Sequence, residues 1–289
     1  MPSRRSSVMS ARRAGAPQNG SDRPGSLVVV GIGLMLGRHT TTETLEAITG
    51  AGHVFHLLTN PAAEAWIQKL NPHTTPLGDC FKEGKSRTRS YAEMAERIVG
   101  AVTAGEQVCA AFYGHPGVLV SPAYQAIVGA RRAGCEARML PGISAEDCLF
   151  ADLTIDPRGL GWQCFEASDF LLRRRRFDPS VALILWQAGV LGEGSIRPQM
   201  QARPERVQVL IDKLAPHYPP RHHVIVYEAS EFPITEPMIK RMPLRRLPEQ
   251  PLYPKTTLYV PPRSTSAQDP RVARWFTGPQ RSGARSSNT

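Results

Sequence analysis

Apolar positions repeat along the first half of the chain with two alternating periods. Ser26 opens the run Leu27 to Val30, and Gly31-Ile32-Gly33 follows at once. This reads as a buried strand entering a glycine turn. Thr40-x-x-Glu43 has the spacing of a capping box, with Leu45 and Ile48 facing inward behind it. Val54 to Leu58 reads as a second strand, and Asn60-Pro61 supplies an N-cap and a first-turn proline for a helix through Leu70. Ser90-x-x-Glu93 repeats the capping pattern, followed at helical spacing by Tyr91, Met94, Ala95, Ile98, Val99 and Val102. Val108 to Phe112 is a strand running into Tyr113-Gly114-His115-Pro116-Gly117, and Ser121-Pro122 starts a helix closed by Arg131, Arg132 and Gly134. Ala137 to Leu140 is a strand, Pro141-Gly142 a turn, and Ser144-x-x-Asp147 caps a short helix.

Strands alternating with helices predict a mainly parallel sheet, whose ligands sit at the carboxyl ends of the strands. Three glycine-bearing turns fall there, after Val30, Phe112 and Leu140. Beyond about residue 155 the pattern changes. Val181 to Leu185, Val224 to Tyr227 and Thr256 to Val260 read as strands, with one clear helix near Glu205 to Leu214. A second α+β unit is expected there. No internal repeat is visible.

The formal charge of +10 raises the question of a nucleic-acid partner. Its distribution answers it. Residues 1–26 carry five arginines against Asp22, and residues 263–289 carry five against Asp269. The middle is nearly neutral, so the basicity belongs to the ends and not to a binding face. Both ends are rich in Ser, Gly, Pro and Arg and are expected to lack order. The first 25 residues share Arg and Ser with transit peptides, but the apolar stretch of an export signal is missing. No run of about 18 apolar residues exists, so no membrane span is expected. Five dispersed cysteines without CxxC pairing fit reduced thiols, and a cytoplasmic location follows as the expectation.

Single motifs say less than their order does. Gly31-x-Gly33 lacks dinucleotide-binding spacing, and a tight strand-to-helix turn explains it more simply. Arg87 lies four residues before Tyr91, and a phenol at a helix start beside a cation favours its ionised form. On spacing alone, a surface arginine and a half-buried tyrosine carry more weight. Arg173 to Arg176 reads as a solvated face, with an acidic partner segment as the alternative. His222 and His223 point to opposite faces of a strand, so a shared metal is not expected. Serine-elbow, HExxH and P-loop patterns are absent, which removes the commoner hydrolase and nucleotide-hydrolysing classes.

Taken together, several segments resemble the borosin peptide α-N-methyltransferases. They are Gly84-Lys85-Ser86-Arg87 with Tyr91, Phe112 to Val118, Met139 to Leu153, Ile155-Asp156-Pro157, Phe165 to Leu171 and Thr256 to Pro262. The resemblance spans about residues 26–262. It implies a two-domain, tetrapyrrole-methylase-like α/β fold with a mostly parallel N-terminal sheet and a mixed C-terminal sheet. Lobes over residues 26–140 and 141–262 would be flanked by tails 1–25 and 263–289. It also implies S-adenosylmethionine in the cleft between the lobes, a homodimer, and a peptide whose backbone amides are methylated. By motif, Tyr113, His115, Val118, Ala145, Gln187, Ala229, Thr256 and Thr257 would line the cofactor site. Arg87, Tyr91 and Tyr113 would face the acceptor.

Those residue types suit the chemistry. An amide nitrogen's lone pair is delocalised into its carbonyl. A guanidinium suits charge appearing on the oxygen, and a tuned phenolate, of Tyr91 or Tyr113, suits removal of the N–H proton. Two departures from the family pattern stand out. Phe81 occupies the place of a further tyrosine shortly before the Gly-Lys-Ser-Arg segment. Residues 263–289 are polar and Arg-rich, without the Val/Ile/Gly-rich core that fused members carry. A precursor peptide supplied in trans is therefore the expectation. The alternatives are methylation of a small tetrapyrrole-type molecule and a cofactor-binding homologue weakened in catalysis.

Overall fold

Two five-stranded sheets organise the chain in the computed structural model, which describes residues 25–195, 200–264 and 267–276. Residues 1–24 and 277–289, most of the two expected tails, lie outside the described residues. The first half runs β1 (Ser26–Gly31), α1 (Thr42–Gly50), β2 (His53–Leu57), α2 (Pro61–Leu70), β3 (Thr74–Pro76), α3 (Arg87–Thr103), β4 (Gln107–Phe112), α4 (Ser121–Arg132) and β5 (Glu136–Met139). These strands pair in the order β3-β2-β4-β1-β5, all parallel. Helices cover both faces. Leu27 and Val29 of β1 pack with Met94, Ile98, Ala123 and Ala126, while Val30 packs with Ile48, Ala63 and Ile67. Burial on both sides is why the strand reads as a continuous apolar run.

The second half runs α5 (Ala145–Leu153), α6 (Pro157–Leu160), β6 (Trp162–Glu166), α7 (Ala167–Leu172), β7 (Ala182–Trp186), α8 (Pro204–Leu214), β8 (His223–Glu228), β9 (Met238–Pro243), β10 (Thr257–Val260) and α9 (Pro270–Phe276). Its sheet order is β6-β7-β10-β8-β9, with β6–β7 parallel and the other pairs antiparallel. Leu183, Leu185, Val224, Val226 and Leu258 pack against α7 and α8. The alternate residues Ile184, Trp186, Ile225, Tyr227 and Tyr259 face Cys148 and Leu149 of α5. Tyr227 donates a hydrogen bond to Asp152 at 2.7 Å, tying α5 to this sheet. The α/β class with a parallel first sheet and a mixed second one is as the sequence implied.

Two helix starts differ from expectation. Thr41, not Thr40, caps α1. The Thr40 hydroxyl instead donates to the Ile32 carbonyl at 3.0 Å, bracing the first glycine turn. Helix α3 begins at Arg87 under a Ser86 cap, one turn earlier than the Ser90 pattern suggests. Ser90 is then buried inside the helix, its hydroxyl without a hydrogen-bond partner among the described residues. Tyr91 is thus the fifth helical residue, where the helix-end field has faded, and Arg87 occupies the first. The Ser144–Asp147 capping box of α5 is complete in both directions. Helix α9, which buries none of its residues, is an element the sequence reading does not anticipate; Asp269-Pro270 supplies its start.

The three glycine turns meet at the carboxyl ends of β1, β4 and β5. Gly33 and Gly114 exchange backbone hydrogen bonds, at 2.8 and 3.3 Å. A Cβ on Gly31 would lie 2.2 Å from the Gly114 carbonyl oxygen, and one on Gly142 would lie 2.8 Å from the same atom. The obstacle is backbone, which cannot swing away as a side chain does. Gly31→Ala should therefore destabilise the chain by about 1–3 kcal/mol, the usual range for overpacking. Urea unfolding checks this, and an unchanged midpoint would show that the turns can separate freely.

Candidate functional site

Strand β4 delivers Tyr113 to the end of the first sheet, and Gly114 turns the chain with φ of 69°. The turn is fixed from within. Gly117 donates its N–H to His115 Nδ1 at 2.9 Å, and Val118 donates to the His115 carbonyl at 3.0 Å. Opposite stand the start of α5, the loop after β7 and the loop after β8. Together they form a cleft between the two sheets, lined among others by Tyr113, His115, Val118, Ala145, Gln187, Ala229 and Thr257. The cavity volume of the cleft is about 110 Å³, and its mouth is open to solvent. Leu119 and Gln187 both line it with positive φ, 59° and 56°. Left-handed backbone at non-glycine residues is strain of the kind that gathers at functional sites.

Seven of the eight residues expected around the cofactor therefore border one cleft. Thr256 does not reach it. That residue is fully buried, its hydroxyl donating to Glu228 and accepting the Tyr253 N–H at 2.8 Å. It braces Thr257, which does face the cleft.

Arg87 and Tyr91 stand beside the cleft, not in its wall. Arg87 Nη2 donates to Gln187 Oε1 at 2.8 Å, and the arginine backbone N–H donates to the Gly194 carbonyl at 2.8 Å. The guanidinium carbon lies 6.0 Å from the Tyr91 ring centre. Phe81 meets Tyr91 edge to face, with ring centres 5.9 Å apart. Tyr91 and Arg87 both act electrostatically on Tyr113, so the three form one group. The charge of Arg87 is largely enclosed, with its side chain 20% exposed.

The two phenols are not equivalent. The Tyr113 ring opens onto the cleft, yet desolvation pushes its phenol up to about 12, Tyr91 and Glu231 adding to the rise and Arg87 opposing it. An ionised Tyr113, one of the two bases the sequence allowed, is thus disfavoured. The arrangement suits Tyr113 as a neutral hydrogen-bond donor.

Sequence reasoning missed Glu231 and Lys255, which also line the cleft. Glu231 accepts from Asn60 Nδ2 at 2.9 Å and from Lys255 Nζ at 3.0 Å, so one carboxylate links the end of β2 to the loop before β10. Burial pulls the Lys255 ammonium down, but Glu231 and Glu228 outweigh it and hold it above the usual lysine range. No local pattern marks either residue, because their partners are distant in sequence. Elsewhere, Arg173 and Arg175 of the arginine run both pair with Asp169, at 2.6 and 2.9 Å. Among the described residues, no group of His, Cys, Asp and Glu is placed to hold a metal ion. None of the described helices is long and apolar enough to cross a membrane.

Residues 26–231 match the family Tetrapyrrole (Corrin/Porphyrin) Methylases. The chain is 39% identical over 246 residues to the "methyltransferase/ribosomally synthesized cyclic peptide dendrothelin A precursor" of Dendrothele bispora, covering 84% of this chain and 59% of that one. It is 38% identical over 251 residues to a "methyltransferase/ribosomally synthesized type I borosin cyclic peptide precursor" of Coprinopsis marcescibilis, covering 85% and 64%. The chain thus spans about six tenths of the length of these relatives. The uroporphyrin-III-C-methyltransferase of Thermus thermophilus shares the fold, with a TM-score of 0.59 at 19% identity over 83% of this chain and 93% of that one.

The Tyr113 shift makes stability pH-dependent. Its folded-state pKa of about 12 lies above the ordinary 10. The folded chain then holds the proton more tightly, and this contribution is full below pH 10 and lost as the pH climbs toward 12. Wild type should lose more stability across that window than Tyr113→Phe does, read as urea midpoints at each pH. Equal losses would show that the Tyr113 phenol titrates as it would in water.

Proposed function

The chain belongs to the tetrapyrrole methylase family, and we propose that it N-methylates backbone amides of a ribosomally made precursor peptide, using S-adenosylmethionine. One observation carries the reading: a guanidinium, held by Gln187 of the cleft wall, stands with two phenols where an acceptor would meet the cleft. The cleft suits the cofactor in kind. It combines an apolar surface (Leu34, Val118, Ala145, Trp186, Ala229) with backbone of the Gly114 turn and the charged pair Glu231–Lys255. S-adenosylmethionine, when bound, supplies a methyl group already electrophilic through its sulfonium.

The chain's own residues address the reluctant partner. Arg87 stabilises negative charge on the amide oxygen as the N–H proton leaves. Tyr113, kept neutral by its surroundings, adds a hydrogen bond from its hydroxyl. Tyr91 is left as the base, directly or through a water. The cleft wall and the Arg87 group together hold nitrogen and methyl roughly 3–3.5 Å apart. The homodimer and the cytoplasmic location belong to the same proposal and rest on the resemblance and on the dispersed cysteines.

Co-expression with a Val/Ile/Gly-rich precursor peptide, followed by fragmentation mass spectrometry, tests the reading. CH₂ increments on backbone nitrogens are expected. Increments on a tetrapyrrole and none on peptide would overturn it. Arg87→Ala should lower turnover by at least about a hundredfold, the scale of a lost oxyanion donor, while cofactor affinity by calorimetry changes little. Equal loss of both would make Arg87 a cofactor ligand. Phe81→Tyr places a hydroxyl near Tyr91 and should raise turnover; an unchanged or lower rate would show that the site works without that phenol.

A further inference from the structure

Arg87 occupies an unfavourable place for a cation. It is the first residue of the 17-residue helix α3, at the positive end of the helix dipole. Something must offset that field and also fix the guanidinium's direction. Gln187 takes Nη2, but a neutral amide supplies no counter-charge. The nearest carboxylate is Glu166, whose Oε1 lies 3.7 Å from Arg87 Nη1.

Glu166 is itself held rigidly. It ends β6 and caps α7, with Oε2 accepting the Asp169 N–H at 2.7 Å. Its Oε1 is buried and has no hydrogen-bond partner among the described residues. A distance of 3.7 Å is too long for a hydrogen bond but within ion-pair range. A buried carboxylate oxygen left unpaired is costly, and among the described residues the Arg87 guanidinium is the cation within ion-pair range. Glu166 itself is not among the residues that line the cleft.

We infer that Glu166 is a positioning residue for Arg87. One carboxylate oxygen is spent on the α7 cap, and the other anchors Nη1. With Nη2 on Gln187, both arms of the planar fork are fixed, and its remaining N–H groups are left for an acceptor carbonyl. The inference rests on the role proposed above for Arg87, and deepens it: the first lobe supplies the guanidinium, and the second lobe aims it.

Glu166→Asp separates this role from a structural one. Aspartate is a good helix N-cap, so α7 and the melting temperature should hold, while the side chain, one methylene shorter, no longer reaches Nη1. On the co-expressed peptide, kcat should fall about tenfold to a hundredfold, the scale of a small misplacement, with KM for the peptide and affinity for S-adenosylmethionine changed less than about threefold by the same reasoning. The double variant Glu166→Asp with Arg87→Ala should be no slower than Arg87→Ala alone, because Glu166 acts through Arg87. Guanidinium ¹⁵N NMR gives a readout that needs no peptide. Wild type should show separate Nη1 and Nη2 resonances for Arg87, and they should merge in Glu166→Asp. Unchanged resonances, or additive losses in the double variant, would overturn the inference. If wild type methylates no peptide but the resonances still merge, the peptide reading fails and the positioning role stands.

Discussion

The close approach of three backbone turns around the Gly114 carbonyl holds the site together. Chains at the ends of β1, β4 and β5 pass within distances at which a single Cβ would collide. Bare backbone at Gly31 and Gly142 lets the Tyr113 turn sit against its neighbours, and that contact aims Tyr113 and His115 into the cleft. The same turns fix where α5 starts. Its capping box then fixes the helix that packs beneath the second sheet, through Cys148, Leu149 and the Tyr227–Asp152 hydrogen bond. A change in backbone spacing at Gly31 would therefore reach the lobe interface, with no need to touch a ligand.

Much of the first sheet was legible because its signals are local. Leu27 to Val30 and Val108 to Phe112 are apolar runs behind glycine turns, and Asn60-Pro61 names a helix start by itself. Where two serines or threonines competed for a cap, periodicity alone chose wrongly. Ser90 satisfied the pattern but sits buried, while Ser86 accepts the Arg89 N–H. The difference of one turn matters, because it moves the helix-end field from Tyr91 to Arg87. The second sheet was harder to read. Strand β9 carries Lys240 and Arg241 exposed at the sheet edge, and β6 alternates only weakly, so neither announces itself. The left-handed backbone of Gln187, which turns its side chain toward Arg87, has no sequence signature at all.

The site residues divide along the same line. Tyr113, His115 and Val118 lie on one continuous motif, and a resemblance could carry them to the cleft together. Thr256 belongs to such a motif too, yet in a β-strand entry only alternate residues face one side; Thr257 faces the cleft and Thr256 turns into the interior with Glu228. Glu231 and Lys255 come from outside any local pattern, and Glu166 lies within the Phe165 to Leu171 segment without any spacing that marks its role. Each acts by reaching a residue far along the chain, such as Asn60 or Arg87. Their roles depend on tertiary geometry that spacing does not encode.

Burial of the Tyr113 phenol decides how the remaining groups can share the work. A phenol pushed up to about 12 is disfavoured as a base near neutrality and suited to donate a hydrogen bond. Arg87 cannot accept a proton at all. Phe81, stacked edge-on against Tyr91, removes the further phenol that could have relayed one. In the proposed reaction the burden of proton removal then falls on Tyr91. Its ring lies 6.0 Å from the Arg87 guanidinium, which is itself restrained by Glu166 and Gln187. In the proposed reaction, the aim of the guanidinium therefore decides how well charge appearing on the amide oxygen is met.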